Sequence, residues 1–184
     1  MIKVVLGSIV GAIAMFIVGF LFWATPLSRI GISSAGEAQS AAIQLSLAQN
    51  LPSTGYYLIP NPATSNGAVL YGKGPTALVN FNTTGSSTSD PSAMIGRFVQ
   101  EVIVSLLIAL SLYVVAERVT DFASRARLVV GFSAAAVIMM TMSDPISMHG
   151  DWRYALYGLI ADLAMLCASG LVIARWFLPT PTRV

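Results

Sequence analysis

The sequence predicts an all-α membrane protein with four transmembrane helices and a small α+β insertion between the first two. The 184 residues are 55% hydrophobic and only 10% charged, whereas soluble domains carry about 25% charged residues. Several apolar runs also reach the roughly 20 residues that a bilayer-spanning helix needs. The last run, from Tyr154 to Leu178, has a single acid, Asp162, near its centre.

The four predicted spans divide the chain into three parts. Residues 1–24 hold the first helix, 25–93 form a long loop, and 94–184 hold three further helices at about 97–116, 127–143 and 154–178. The start, Met1-Ile-Lys3, resembles the basic end of a signal peptide. The apolar run after it is longer than a signal core, and no small-residue cleavage site follows. We therefore expect an uncleaved membrane anchor.

The loop has the pattern of a small α+β unit. Ser34 and Glu37 have capping-box spacing, which predicts a helix over 35–51 that stops at Pro52. Three strands are predicted at 55–60, 68–71 and 76–82, and the last two are joined by a hairpin at Gly72-Lys-Gly-Pro75. A unit of roughly 50 residues is marginal for independent folding, and this loop has no cysteine. We expect it to depend on the membrane helices or on another subunit.

The order Gly-Tyr-Tyr-x-x-Pro from Gly55, then Gly-x-Gly-Pro from Gly72, then an apolar strand resembles small uncharacterised bacterial multi-pass membrane proteins. The resemblance covers about residues 55–110. It implies a bacterial origin and no particular activity.

The distribution of Lys and Arg predicts the orientation, because short cytoplasmic loops are enriched in positive charge. With the N-terminus inside, the cytoplasmic side receives Lys3, Arg118, Arg125, Arg127, Arg175 and Arg183. Only Arg153 falls in the short outer loop. We therefore expect both termini to be cytoplasmic, the loop 25–93 to be extracytoplasmic, and the protein to lie in the bacterial inner membrane.

Glycines in two spans indicate close helix packing. Gly7 and Gly11 form a Gly-x3-Gly pair, and Gly19 lies two turns further on the same face. Small residues at this spacing let two helix backbones approach each other. Gly158 leaves similar room beside Asp162 on the fourth span.

Asp162 is the main candidate site residue, since an ionised carboxylate inside the bilayer is costly unless it is protonated, paired or hydrated. It can be a proton or ion relay, a contact to a partner subunit, or a structural carboxyl. Glu101, Ser105 and Tyr113 share one predicted face of the second span, and Glu101 is spaced to pair with Arg97 near the outer boundary. The candidate partners of Asp162 on other spans are Ser105, Tyr113, Ser133 and Thr141.

His149 is the only histidine, and it lies between Asp144 and Asp151. A histidine flanked by carboxylates can act as a base or bind a metal, and Met142 and Met148 nearby add thioether ligands suited to copper(I). The same residues fit turns and helix caps equally well. One histidine excludes bis-histidine haem within this chain, so we predict no metal and no cofactor.

The sequence favours a non-catalytic subunit of a larger bacterial membrane complex, in contact with the lipid bilayer and with other membrane subunits. The net charge of +2 and the scattered cations do not indicate a nucleic-acid partner. The alternative is a small proton- or ion-coupled carrier that uses Asp162. A membrane enzyme that uses His149 is a third hypothesis, and no hydrolase or nucleotide-binding motif supports it.

Overall fold

A computed structural model describes residues 2–88 and 90–178, and these residues form two compact units. The first unit combines residues up to Ser33 with those from Pro91 onward, and the second is the insertion Ser34–Asp90. Residues 179–184, which include Arg183, lie outside the described residues, as do Met1 and Ser89.

Four long helices make up the first unit: α1 (Ile2–Trp23), α4 (Ser92–Val115), α5 (Phe122–Ser147) and α6 (Trp152–Trp176). All four are long and apolar enough to cross a membrane, so the prediction of a multi-pass helical protein is confirmed at that level. A short 3₁₀ helix, Pro26–Ile30, follows α1, and the Thr25 side chain accepts a bond from the Leu27 amide at its start.

The four helices do not form a closed square. α1 and α6 pack on each other at the centre, α4 packs mainly on α1, and α5 packs on α6. The apolar core buries eight side chains at the end where α1 begins and α6 ends: Val4, Ala109, Leu112, Ala116, Val129, Ile173, Ala174 and Leu178. The outer helices α4 and α5 leave most of their apolar surface uncovered by protein, as lipid-facing helices do.

The third long helix extends well beyond the predicted 127–143. Asp121 caps it, because its carboxylate accepts a bond from the Ser124 amide at 2.8 Å. Its far end runs through Asp144 and Pro145 to Ser147, so the first residues between the predicted spans 127–143 and 154–178 are helical. The proline lies in the last turn, where the loss of one backbone hydrogen bond interrupts the helix least.

The insertion contains two helices and two strands: α2 (Glu37–Asn50), β1 (Gly55–Ile59), α3 (Ser65–Lys73) and β2 (Ala77–Phe81). The strands pair antiparallel, with Gly55 opposite Phe81 and Ile59 opposite Ala77. The helix predicted over 35–51 is present, but its N-cap is Gly36, which makes no side-chain cap bond. The capping box from Ser34 is therefore not formed.

The strand predicted at 68–71 is wrong, because these residues belong to helix α3. Thr64 starts the helix by accepting a bond from the Gly67 amide at 3.1 Å. The predicted hairpin loop is instead the end of this helix, where Gly74 has a φ of 67° as the C-cap. Glycine adopts this left-handed backbone at little cost. The sheet consequently has two strands, β1 and β2, within the described part of the insertion.

A charged cluster as the candidate functional site

Asp162 is half-buried on α6, about ten residues from the start of that helix. Two groups act on its carboxylate: the charge of Arg97, from the first turns of α4, and the indole of Trp23, at the end of α1. Three helices therefore meet at this acid. An intramembrane acid enclosed by protein in this way has lower electrostatic cost than one facing lipid.

Glu101 is buried more deeply than its predicted place at the boundary implied, with 2% of its surface exposed. The predicted pair with Arg97 is formed, and the Arg97 Nε donates to Glu101 Oε1 at 3.2 Å. The other carboxylate oxygen, Oε2, is buried and has no hydrogen-bond partner among the described residues. We call Arg97, Glu101 and Asp162 the charged cluster.

Aromatic side chains hold Trp23 in its place beside this cluster. The Trp23 ring lies edge-on to Tyr157 at 5.3 Å and tilted against Tyr154 at 6.2 Å. The Tyr157 hydroxyl donates to the Phe22 carbonyl, so the end of α1 is fixed to α6. Gly31 is packed against the same ring, because a Cβ there would lie 2.7 Å from Tyr157 Cδ1.

A pair of serines lies one turn further into the bundle. Ser105 of α4 and Ser169 of α6 are both fully buried, and their hydroxyls share a hydrogen bond of 2.9 Å. Gly11 of α1 lies against this pair, since a Cβ at Gly11 would be 2.5 Å from Ser105 Oγ and 2.7 Å from Ser169 Oγ. The missing side chain lets the three helices close around two polar groups.

The other glycines named from the sequence have different surroundings. Gly7 and Gly19 are buried on α1, and a Cβ there would lie 2.7 Å from Phe177 Cβ and 2.8 Å from Met165 Cε respectively. Gly158 has ordinary space, since a Cβ there would lie 3.8 Å from Thr141 Cγ2. Gly170 was missed, although a Cβ there would approach Val129 to 2.5 Å; its neighbour lies on another helix, so spacing along the chain gave no signal.

The face of α4 predicted from four-residue spacing is buried along only part of the helix. Glu101, Ser105, Ala109 and Leu112 are buried, whereas Tyr113 is 43% exposed. Each step of four residues turns about 40° beyond one full turn of the helix, so residues spaced by four gradually leave the buried face. After Ala109 the buried position is therefore Leu112, three residues on, and not Tyr113. Tyr113 therefore lies away from the charged cluster.

The remaining candidate partners of Asp162 have other neighbours. Ser133 on α5 lies at the Cys167 thiol, and the Thr141 hydroxyl donates to the Val137 carbonyl at 2.8 Å. The groups that do act on Asp162 are Trp23 and Arg97, and the sequence indicated only that Arg97 pairs with Glu101. Only the packing of α1, α4 and α6 brings them to this acid.

His149 is exposed and has a φ of 57°, between the end of α5 and the start of α6. The flanking acids contact nearby backbone. Asp151 caps α6, because its carboxylate accepts a bond from the Arg153 amide at 2.8 Å. The Asp144 carboxylate packs against Gly150, where a Cβ would be only 2.4 Å from Asp144 Oδ2. The described residues contain no group of three or more His, Cys, Asp or Glu side chains placed to hold a metal ion.

The opposite end of the bundle holds a buried cation. Arg125 is 3% exposed, and it donates to the Val119 carbonyl at 2.7 Å and to the Ala116 carbonyl at 3.2 Å. These carbonyls belong to the end of α4 and the turn after it, where helix carbonyls lack internal partners. Arg125 thus stabilises the corner between α4 and α5.

No protein-family model matches the chain, and no curated protein or solved structure is detectably similar to it.

Proposed function

We propose that this protein is a non-catalytic subunit of a larger bacterial membrane complex, with an accessory or assembly role. One observation carries the proposal: the insertion has no apolar core of its own. Among its described residues, Gly67 is the only one that is buried. Large apolar side chains on both of its helices are exposed, including Ile43 at 54%, Leu45 at 60% and Val69 at 58%.

A folded segment of this kind gains little from the hydrophobic effect, which is the main favourable contribution to folding. Burial of each exposed side chain against a partner contributes about 1.5–3 kcal/mol. A second subunit that covers α2 and α3 supplies this burial. The small-residue face of α1 supports the proposal less than its sequence suggested, because Gly7, Gly11 and Gly19 are used within the bundle itself.

The proposed orientation places both termini in the cytoplasm and the insertion outside, in the bacterial inner membrane. The bias of Lys and Arg supports this orientation. Cysteine labelling of single-cysteine variants in intact cells tests it: after Cys167→Ser, a cysteine placed at Ser46 should react with an impermeant maleimide, whereas one placed at Glu117 should not. The reverse pattern would overturn the orientation.

Affinity purification in mild detergent tests the subunit proposal. We expect a second membrane protein to co-purify in stoichiometric amount. The double variant Ile43→Gln with Leu45→Gln should lose that partner and keep the thermal stability of the bundle. Gln49→Ala, an exposed change on the same helix, should retain the partner. Recovery of the wild type as a monodisperse monomer would contradict the proposal.

A proton- or ion-coupled carrier remains the second candidate, and the charged cluster is the observation that favours it. Asp162 lies among three helices with Arg97 beside it, which is how intramembrane acids on ion pathways are commonly arranged. A pH-dependent flux in proteoliposomes that is lost in Asp162→Asn, but not in Asp121→Asn, would support the carrier. No flux in the wild type would eliminate it.

A further inference from the structure

The charged cluster carries an uncompensated charge when all its groups are ionised. Glu101 is ion-paired with the Arg97 guanidinium, and the charge of the same guanidinium also acts on Asp162, so two carboxylates have one cation near them. The sum is one negative charge among helices that are apolar enough to cross a membrane. Buried charges are stable only when they are paired, and an excess charge at this depth is removed by binding one cation.

The structure identifies the atom that is short of a partner. Glu101 Oε1 accepts from Arg97, whereas Oε2 is buried and has no partner among the described residues. A buried carboxylate oxygen without a donor loses its solvation without replacement. Among the described residues, Glu101 Oε2 is therefore the buried side-chain oxygen that lacks a hydrogen-bond donor.

The surroundings of Glu101 offer few ligands for a metal ion. Gly19 of α1 lies against Glu101, since a Cβ there would be 3.6 Å from Glu101 Oε1, an ordinary contact distance. Metal ions of the calcium and magnesium type need six or more oxygen ligands or retained waters, and the described residues offer no group of three metal-binding side chains. A proton has no such requirement.

Access to the cluster is open at one end and closed at the other. The Arg97 side chain is 47% exposed, so the cluster reaches the surface where α4 begins. Beyond Ser105 and Ser169 the bundle interior is filled by the apolar core around Ala109, Leu112 and Ile173.

We propose that the charged cluster is a proton-binding site reached from the end of the bundle where α4 begins, with Glu101 Oε2 as the atom that takes the proton. A hydronium ion at the Arg97 end gives up one O–H bond, one O–H bond forms at Oε2, and water is left behind. The cluster then has no net charge. This site requires neither a partner subunit nor transport.

Few other titratable groups face Glu101. On its own helix the neighbouring charge is Arg97, and the charge of the same Arg97 also acts on Asp162 of α6. Between Lys3 and Trp23, helix α1 has no titratable side chain. Arg153, at the mouth of the same end, donates to the Ser33 hydroxyl. The proton balance of the site therefore depends on Arg97, Glu101 and Asp162.

Infrared spectroscopy of the purified protein in lipid nanodiscs tests the proposal. At neutral pH the wild type should show the carbonyl stretch of one protonated carboxyl, and this band should shift in D₂O. Glu101→Gln should abolish the band. Glu37→Gln and Glu117→Gln, which change exposed acids, should retain it.

Three results would overturn the proposal. The first is that the wild type shows no protonated-carboxyl band at neutral pH. The second is that the band is lost in Asp162→Asn but retained in Glu101→Gln, and the third is that it is lost when sodium replaces potassium. The last result would identify a sodium site instead. Glu101→Asp should shift the band without abolishing it, which separates loss of the acid from loss of the fold. A positive band without any flux in proteoliposomes would eliminate the carrier and leave this site standing.

Discussion

The helix bundle and the insertion stabilise their structures in different ways. In the bundle, buried glycines, buried serines and one buried arginine make close contacts between helices, as Gly11 does at the Ser105–Ser169 pair. In the insertion, local hydrogen bonds define the elements, as Thr64 does for α3, while its apolar side chains are exposed. The bundle has interior contacts that a substitution can break, and the insertion has almost none.

Hydrogen exchange should show the largest difference between the two regions. In the isolated protein, amides of α2 and α3 should exchange on the order of a thousandfold faster than those of α1 and α6, which corresponds to about 4 kcal/mol. Mass spectrometry after exchange in detergent measures this ratio, with the exposed turn at 117–120 as a fast reference. Equal protection in both regions of an isolated monomer would show that the insertion is stable by itself.

Arg125→Met should give the largest loss of stability from a single change in the bundle. It removes the donor to the Val119 and Ala116 carbonyls, which costs about 3 kcal/mol. At about 2–4 °C per kcal/mol, a thermal melt in detergent should fall by roughly 6–12 °C. Arg127→Met, an exposed arginine two residues away, is the control and should melt like the wild type.

Gly11→Ala should destabilise the bundle by about 1–3 kcal/mol, because overpacking forces neighbouring groups apart. Its Cβ would meet Ser105 Oγ at 2.5 Å. Gly131→Ala on α5 is the control, since a Cβ there meets nothing within 4 Å. Changing Ser105 and Ser169 to alanine in the Gly11→Ala variant should restore part of the lost stability. Equal melting temperatures for Gly11→Ala and Gly131→Ala would show that Gly11 is not needed for close packing.

The smallest expected effect concerns the exposed cap of α5. The Ser124 backbone amide donates to Asp121 and holds the pKa of that carboxyl below its usual value. Because the pKa is lowered by folding, the cap contributes its full stabilisation of α5 above the unfolded pKa of 3.8. This stabilisation is lost as the pH falls through the lower pKa of the folded state. Asp121→Asn keeps an accepting oxygen, so its melting temperature should depend less on pH between neutral and about pH 3.

The sequence predicted those parts of the fold that depend on local pattern. The apolar runs of α1, α4 and α6 and the strands β1 and β2 follow from composition and alternation. The run at 68–71 was assigned wrongly because its apolar residues suit a strand, whereas the Thr64 cap and the Gly74 end favour a helix. A short apolar run does not distinguish the two, and its flanking caps decide.

The site could be predicted only in part, for a physical reason. Asp162 and the Arg97–Glu101 pair are visible as an acid in an apolar run and as an i,i+4 spacing. The approach of Trp23 and Arg97 to Asp162 depends on how three helices pack. The same holds for Gly170, whose need for a small side chain comes from Val129 on α5.

Arg125 is also one of the cations on which the proposed orientation depends. In the proposed orientation, its guanidinium is a positive charge that would help to retain the α4–α5 turn on the cytoplasmic side while the chain is being inserted. After folding, the same group is shielded from water and bound to two main-chain oxygens. In that orientation, one side chain would act first as a topological signal and later as a fixed structural ligand. The surface charge left to attract anionic phospholipids is then smaller than a count of arginines implies.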